Sequence, residues 1–120
     1  MDIKIILFPV LLGASAFAWA QTSAYNNKAL LKNYALTKCL SMLPGNAEFK
    51  TDAEATAQGY LEFGSVDFQA YEDAIKLARS FVEKKYESKS GAPLNVMKCI
   101  DMFHSKELEK LASKYSKKQN

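Results

Sequence analysis

YEDAIKLARSFVEKKY, residues 71–86, places Tyr71, Ala74, Ile75, Ala78, Phe81, Val82 and Tyr86 at steps of three and four residues. In an α-helix, with 3.6 residues per turn, those steps gather the apolar side chains on one face, whereas a strand requires alternation at every second residue. No strand-like alternation competes here or in the flanking sequence. The stretch therefore predicts a helix that begins near residues 65–67, and it sets the class of the chain as all-α, with a sheet nowhere required.

Upstream, Gly64 closes a second helical segment that contains Ala53, Ala55, Ala57 and Gly59, small enough for close packing on a neighbour, with Tyr60, Leu61 and Phe63 as the larger contacts. Thr51-Asp-Ala-Glu54 has the spacing of a capping box and predicts that this helix starts there. Before it, residues 25–43 carry Leu30, Tyr34, Leu36, Leu40 and Leu43 in a stripe with Cys39 beside it, and Pro44-Gly45 stops the run. Downstream, residues 87–93 are polar, contain Gly91 and end in Pro93, which reads as a loop. A fourth helix then carries Leu94, Met97, Ile100 and Phe103 with Cys99 beside them, and Ser105 caps a last segment with Leu108, Leu111, Ala112 and Tyr115. The expected architecture is a small compact bundle of about four to five helices.

The N-terminus reads as a secretory leader. Lys4 precedes an apolar run from residue 5 to residue 17, and Ala18-Trp19-Ala20 supplies small residues where a signal peptidase cuts. The run is shorter than the roughly 20 apolar residues that span a bilayer, and no cysteine follows Ala20 to take a lipid. Residues 1–20 are expected to be a signal peptide and residues 21–120 a single helical domain, with no membrane association after cleavage. The chain has 16 Lys and Arg against 13 Asp and Glu, and the leader holds one of each, so the mature chain keeps a formal charge of +3. That balance is too mild for a nucleic-acid partner. Its distribution is uneven: seven acids but one basic residue, Lys50, lie between Glu48 and Asp73, whereas the segment from Lys106 onward is rich in lysine. Such polarity suits steering of a protein partner.

Two cysteines, Cys39 and Cys99, in a small exported chain predict one disulfide. Closing a loop of that length removes chain entropy worth roughly 4 kcal/mol. Cys99, Asp101 and the single histidine, His104, fall close together in sequence without forming a catalytic set. On a continuous helix His104 lies about 140° and Asp101 about 200° around from Cys99, so the side chains diverge. A zinc site needs three or four ligands and a nucleophilic cysteine needs a base in contact. No catalytic residue, metal or cofactor is expected, and His104 reads as a donor at the end of the fourth helix.

Three stretches, NYALTKCL (residues 33–40), GYLEFGS (59–65) and LNVMKCIDMFHSKEL (94–108), with the cysteine spacing and the leader, resemble the periplasmic immunity proteins that neutralise type VI secretion amidase effectors, specifically the fourth amidase immunity group. The resemblance spans nearly the whole mature chain. It implies a non-enzymatic, all-α, periplasmic protein, typically a homodimer and so a heterotetramer with its effector, that binds a peptidoglycan-cleaving amidase of the NlpC/P60 kind. The catalytic cysteine then belongs to the toxin, and inhibition is steric. Ser88, Lys89, Ser90, Gly91 and Ala92 are the candidate plug, against a plain helix connector, and Glu62 and Asp67 are candidate rim charges. A disulfide-stapled periplasmic chaperone or adaptor, and an immunity protein against a different cell-wall enzyme, are the alternatives.

Overall fold

Asn26 accepts the N–H of Ala29 at 2.8 Å and so starts the first helix of the computed structural model, which describes residues 24–117. α1 spans Asn27–Met42 and ends at Leu43, ahead of Pro44. α2 spans Ala47–Phe63 and is capped by Asn46, whose side chain accepts the Phe49 N–H at 2.7 Å. The start expected at Thr51 is therefore corrected: Asn46 satisfies the orphan amides one turn earlier, and Thr51 sits exposed inside a helix already under way. α3 spans Phe68–Val82, α4 Asn95–Phe103 and α5 Lys106–Lys117. Asp67 caps α3 through the Gln69 N–H at 2.9 Å, and Ser105 caps α5 through the Leu108 N–H at 3.1 Å. Among the described residues the bundle has five helices and no strand. The expected leader, residues 1–20, lies outside the described residues.

α1 is the hub and packs against each of the other four helices. Its buried face carries Leu30, Leu31, Tyr34, Ala35 and Cys39; Leu36 and Leu40 of the expected stripe are only half-buried. Alanines make the close approaches, with Ala53 and Ala57 on α2 and Ala70, Ala74 and Ala78 on α3 all buried. Tyr34 and Tyr71 meet edge to face at 4.9 Å between ring centres, joining α1 to α3. Cys39 and Cys99 form the expected disulfide, with their Cα atoms 5.6 Å apart and both residues fully buried. It fixes α4 to α1.

Two expectations downstream of α3 are corrected. Tyr86 does not continue the helix, because α3 ends at Val82, with the Glu83 N–H turning back to the Arg79 carbonyl and the Lys84 N–H to that of Phe81. On α4, Met97 and Ile100 do not face the core. The inward residues are Lys98, Cys99 and Met102, while Val96, Met97 and Ile100 are 56%, 46% and 49% exposed. The disulfide decides this rotation: turning Cys99 inward turns the 96/97/100 stripe outward.

Candidate functional site

The chain between α3 and α4 is the longest connection among the described helices, running over residues 83–94. Most helix connections in bundles are shorter, and long ones are commonly binding elements. Lys89, Ser90, Gly91, Ala92 and Pro93 are exposed and Ser88 is half-buried. Solvent access does not make this loop slack. The Gly91 N–H donates to the Ser88 carbonyl at 3.1 Å, closing a tight turn. Three further contacts join in a ring: the Ala92 N–H donates to Ser90 Oγ at 3.3 Å, the Ser90 and Ser88 hydroxyls meet at 3.2 Å, and Ser88 Oγ donates to the Ala92 carbonyl at 2.8 Å. With Ser90 as donor to Ser88, each hydroxyl gives its single proton once.

Backbone conformation shapes the turn as well. Gly91 has φ 85°, where only glycine is unstrained, and open space surrounds it. Leu94, at φ 55° and ψ 42°, is the described non-glycine residue with positive φ, and it turns the chain from the loop into α4. The loop is a closed turn held proud of the bundle.

At its base three side chains from two segments meet. Tyr86 Oη donates to Asp101 Oδ2 at 2.5 Å. Lys98, only 7% exposed, extends its Nζ to the Val82 carbonyl at 3.2 Å and lies 6.0 Å from the centre of the Tyr86 ring. The last carbonyls of a helix lack partners within it and carry its negative end, so a buried cation there is compensated. The hydrogen bond to Asp101, followed by partial burial, pushes the Tyr86 hydroxyl above its usual pKa.

The predicted site residues fall in two places. Ser88, Lys89, Ser90, Gly91 and Ala92 form the turn past the C-terminal end of α3. Glu62 lies in the last turn of α2, within reach of Gln58 at 3.4 Å, and Asp67 is committed to capping α3 at its N-terminal end. The length of α3, about 20 Å at 1.5 Å per residue, separates these groups, so one chain does not gather them into a single patch. Sequence reasoning assigned Tyr86 and Leu94 to apolar helix faces rather than to the site, and gave Lys98 no role. A lysine within an apolar helical stretch was the available signal for Lys98; nothing in the sequence marks the Leu94 conformation.

Cys99 is consumed in the disulfide, Asp101 points to Tyr86, and His104 contributes its backbone N–H to the Ile100 carbonyl at 3.2 Å while its ring packs edge-on to Phe103. Among the described residues no three His, Cys, Asp or Glu side chains gather as a metal site, and no helix is long and apolar enough to cross a membrane.

The family model of the type VI secretion system amidase immunity protein Tai4 matches residues 29–112. The chain is similar to the solved structure of the effector–immunity system Tae4/Tai4 from Salmonella typhimurium, a selenomethionine variant, at 37% identity and TM-score 0.73, over 77% of this chain and 91% of that one. The Tae4–Tai4 effector–immunity complex from Enterobacter cloacae matches at 21% identity and TM-score 0.68, over 76% of this chain and 93% of that one. A complex of Salmonella typhimurium Tae4 with the Enterobacter cloacae immunity protein matches at 20% identity and TM-score 0.67, over 75% and 93% of the two chains. These last two establish the fold alone. No curated protein matches the chain. The match covers most of the bundle, both cysteines and the whole 83–94 connection included: the chain belongs to the type VI secretion system amidase immunity protein family.

Proposed function

We propose that this immunity protein acts in the periplasm by seating its 87–93 loop in the substrate groove of a secreted peptidoglycan amidase, protecting the producing or sister cell. The observation that carries the reading is the self-bonded turn of Ser88, Ser90, Gly91 and Ala92, which stands clear of the bundle while its conformation is fixed from within. A groove shaped for a peptide accepts small polar side chains and exposed backbone, and a plug already in its bound shape loses little entropy on entry. The apolar stripe of Val96, Met97 and Ile100 begins two residues after the loop and supplies the dry contact area that a polar turn lacks. Glu62 and Asp67, remote from the loop, act on the approach of the partner through charge.

Export is part of the reading: the leader ends at Ala20, the mature chain begins at Gln21, and the disulfide forms outside the cytosol. The mature protein is a homodimer and combines with its effector as a heterotetramer, which covers apolar side chains left outside the core, among them Phe49 and Phe68. Co-expression with a periplasm-targeted amidase effector tests the proposal. Cells are expected to survive with the chain and lyse without it, and replacement of residues 88–92 by a flexible linker is expected to abolish protection while leaving the thermal midpoint within a few degrees. Equal lysis with and without the chain would refute immunity, and full protection by the linker variant would refute the plug. Intact mass of the exported protein, alone and with effector, reads the leader site and the stoichiometry.

A further inference from the structure

We propose that Tyr86, Lys98 and Asp101 act as a clasp that sets the inhibitory loop in its binding conformation before the partner arrives. The inference rests on the plug reading above and adds positioning residues to it. The amides of Glu83 and Lys84 still bond back to α3, but among the described contacts no helix hydrogen bond constrains residues 85–87, and the turn made by Ser88 and Ser90 fixes only the tip. A rigid tip on a loose stem sweeps through many placements, and only a fraction of them would fit a groove. Apparent affinity falls in proportion to that fraction.

The clasp removes this freedom from both sides of the loop. Tyr86 is the last residue before the 87–93 segment, and its hydroxyl reaches Asp101 on α4, beyond the loop, so this one bond closes the stem across the connection. Lys98, one helical turn before Asp101 on α4, ties the end of α3 to α4 through the Val82 carbonyl and places its ammonium against the face of the same tyrosine. Cys99 lies between these two residues and is bonded to α1, so the clasp is mounted on the most constrained part of α4. Burying a lysine without a carboxylate partner is unfavourable unless a fixed dipole compensates it, and the free end of α3 does so. Leu94, at φ 55°, directs the second strand of the stem back to α4. An ordinary connector requires none of these devices.

Tyr86→Phe, Asp101→Ala and Asp101→Asn test the clasp, because Asn retains an acceptor for the tyrosine hydroxyl whereas Ala does not. The measurements are backbone hydrogen exchange of the loop's stem, residues 83–87, in the free protein, and association and dissociation rates with Salmonella typhimurium Tae4. Tyr86→Phe and Asp101→Ala are expected to raise stem exchange about five-fold, the loss corresponding to one hydrogen bond, and to slow association by a similar factor at an unchanged dissociation rate. Asp101→Asn is expected to stay within two-fold of the parent in both. Unchanged stem exchange in Tyr86→Phe overturns the clasp, whatever happens to binding; so does weaker binding through dissociation alone, which marks direct contact with the partner. Failure of the parent protein to bind Tae4 counts against the plug reading instead, and the exchange measurement still decides the clasp.

Discussion

Gly64 shows how one missing side chain permits a contact between elements. A Cβ at this position would lie 2.5 Å from the Tyr71 hydroxyl, which is hydrogen-bonded to the Val66 backbone and belongs to a buried ring. The tyrosine cannot withdraw without giving up that bond or its contact with Tyr34. Gly64→Ala is therefore expected to destabilise the protein by about 1–3 kcal/mol in urea unfolding, and the penalty should shrink in a Tyr71→Phe background, where the clashing oxygen is gone. A second residue-scale consequence concerns pH. The hydrogen bond from Tyr115 to Asp73, at 2.7 Å, raises the phenol to about 12, with burial adding to the shift. The same bond, ahead of that from Gln69, holds the Asp73 carboxyl below its usual range. The tyrosine contribution is complete below its unfolded value near 10 and is lost as pH rises through about 12; the aspartate contribution is present above about pH 4 and is lost as pH falls below it. Urea midpoints measured from pH 8 to 12 should fall for the parent protein and fall less steeply for Tyr115→Phe.

Among the elements, α4 depends most on a single covalent link. Its nine residues are too few to hold a helix unaided, and Cys99 anchors them to Cys39 on the hub. Replacing both cysteines by alanine is expected to lower unfolding free energy by about 2–4 kcal/mol, with α4 and the loop losing exchange protection ahead of α1 to α3. The sequence makes the existence of every element legible, since periodicity and turn residues mark them, but not the rotation of this one. Val96, Met97 and Ile100 form one apolar stripe and Cys99 with Met102 another. A count of apolar spacing cannot choose between them, whereas the sulfur bond can. The end of α3 was hidden for a similar reason. Tyr86 fits the helical spacing, and only the competing pull of Asp101, with Lys98 on the Val82 carbonyl, takes it out of the helix. At α2 the capping-box spacing at Thr51 named a start one turn too late, because Asn46 already caps the helix.

For the whole molecule, the buried core and the exposed apolar stripe of α4 use different residues. Met97 and Ile100 lie outside the interior and their truncation opens no cavity, so Met97→Ser with Ile100→Ser should shift unfolding free energy by less than about 1 kcal/mol while weakening inhibition of a cognate amidase roughly ten-fold. An equal loss of stability and inhibition would place these side chains in the core function instead. The all-α class and the staple followed from residue spacing and cysteine count, because both are local or countable. The family was legible from three motifs, two of which hold the cysteines. The geometry of the candidate site was not, since a turn built from two serines, a glycine and a left-handed leucine has no spacing rule that distinguishes it from a flexible linker.

The ring at the loop tip leaves one member without a duty. Lys89 lies between two bonded serines, is exposed, and has no hydrogen bond or ion pair among the described contacts. A lineage under attack by a drifting toxin can rewrite that side chain, or invert its sign, with almost no effect on folding. If the loop is the plug proposed above, position 89 can follow the toxin's changes at little risk to the defender's fold.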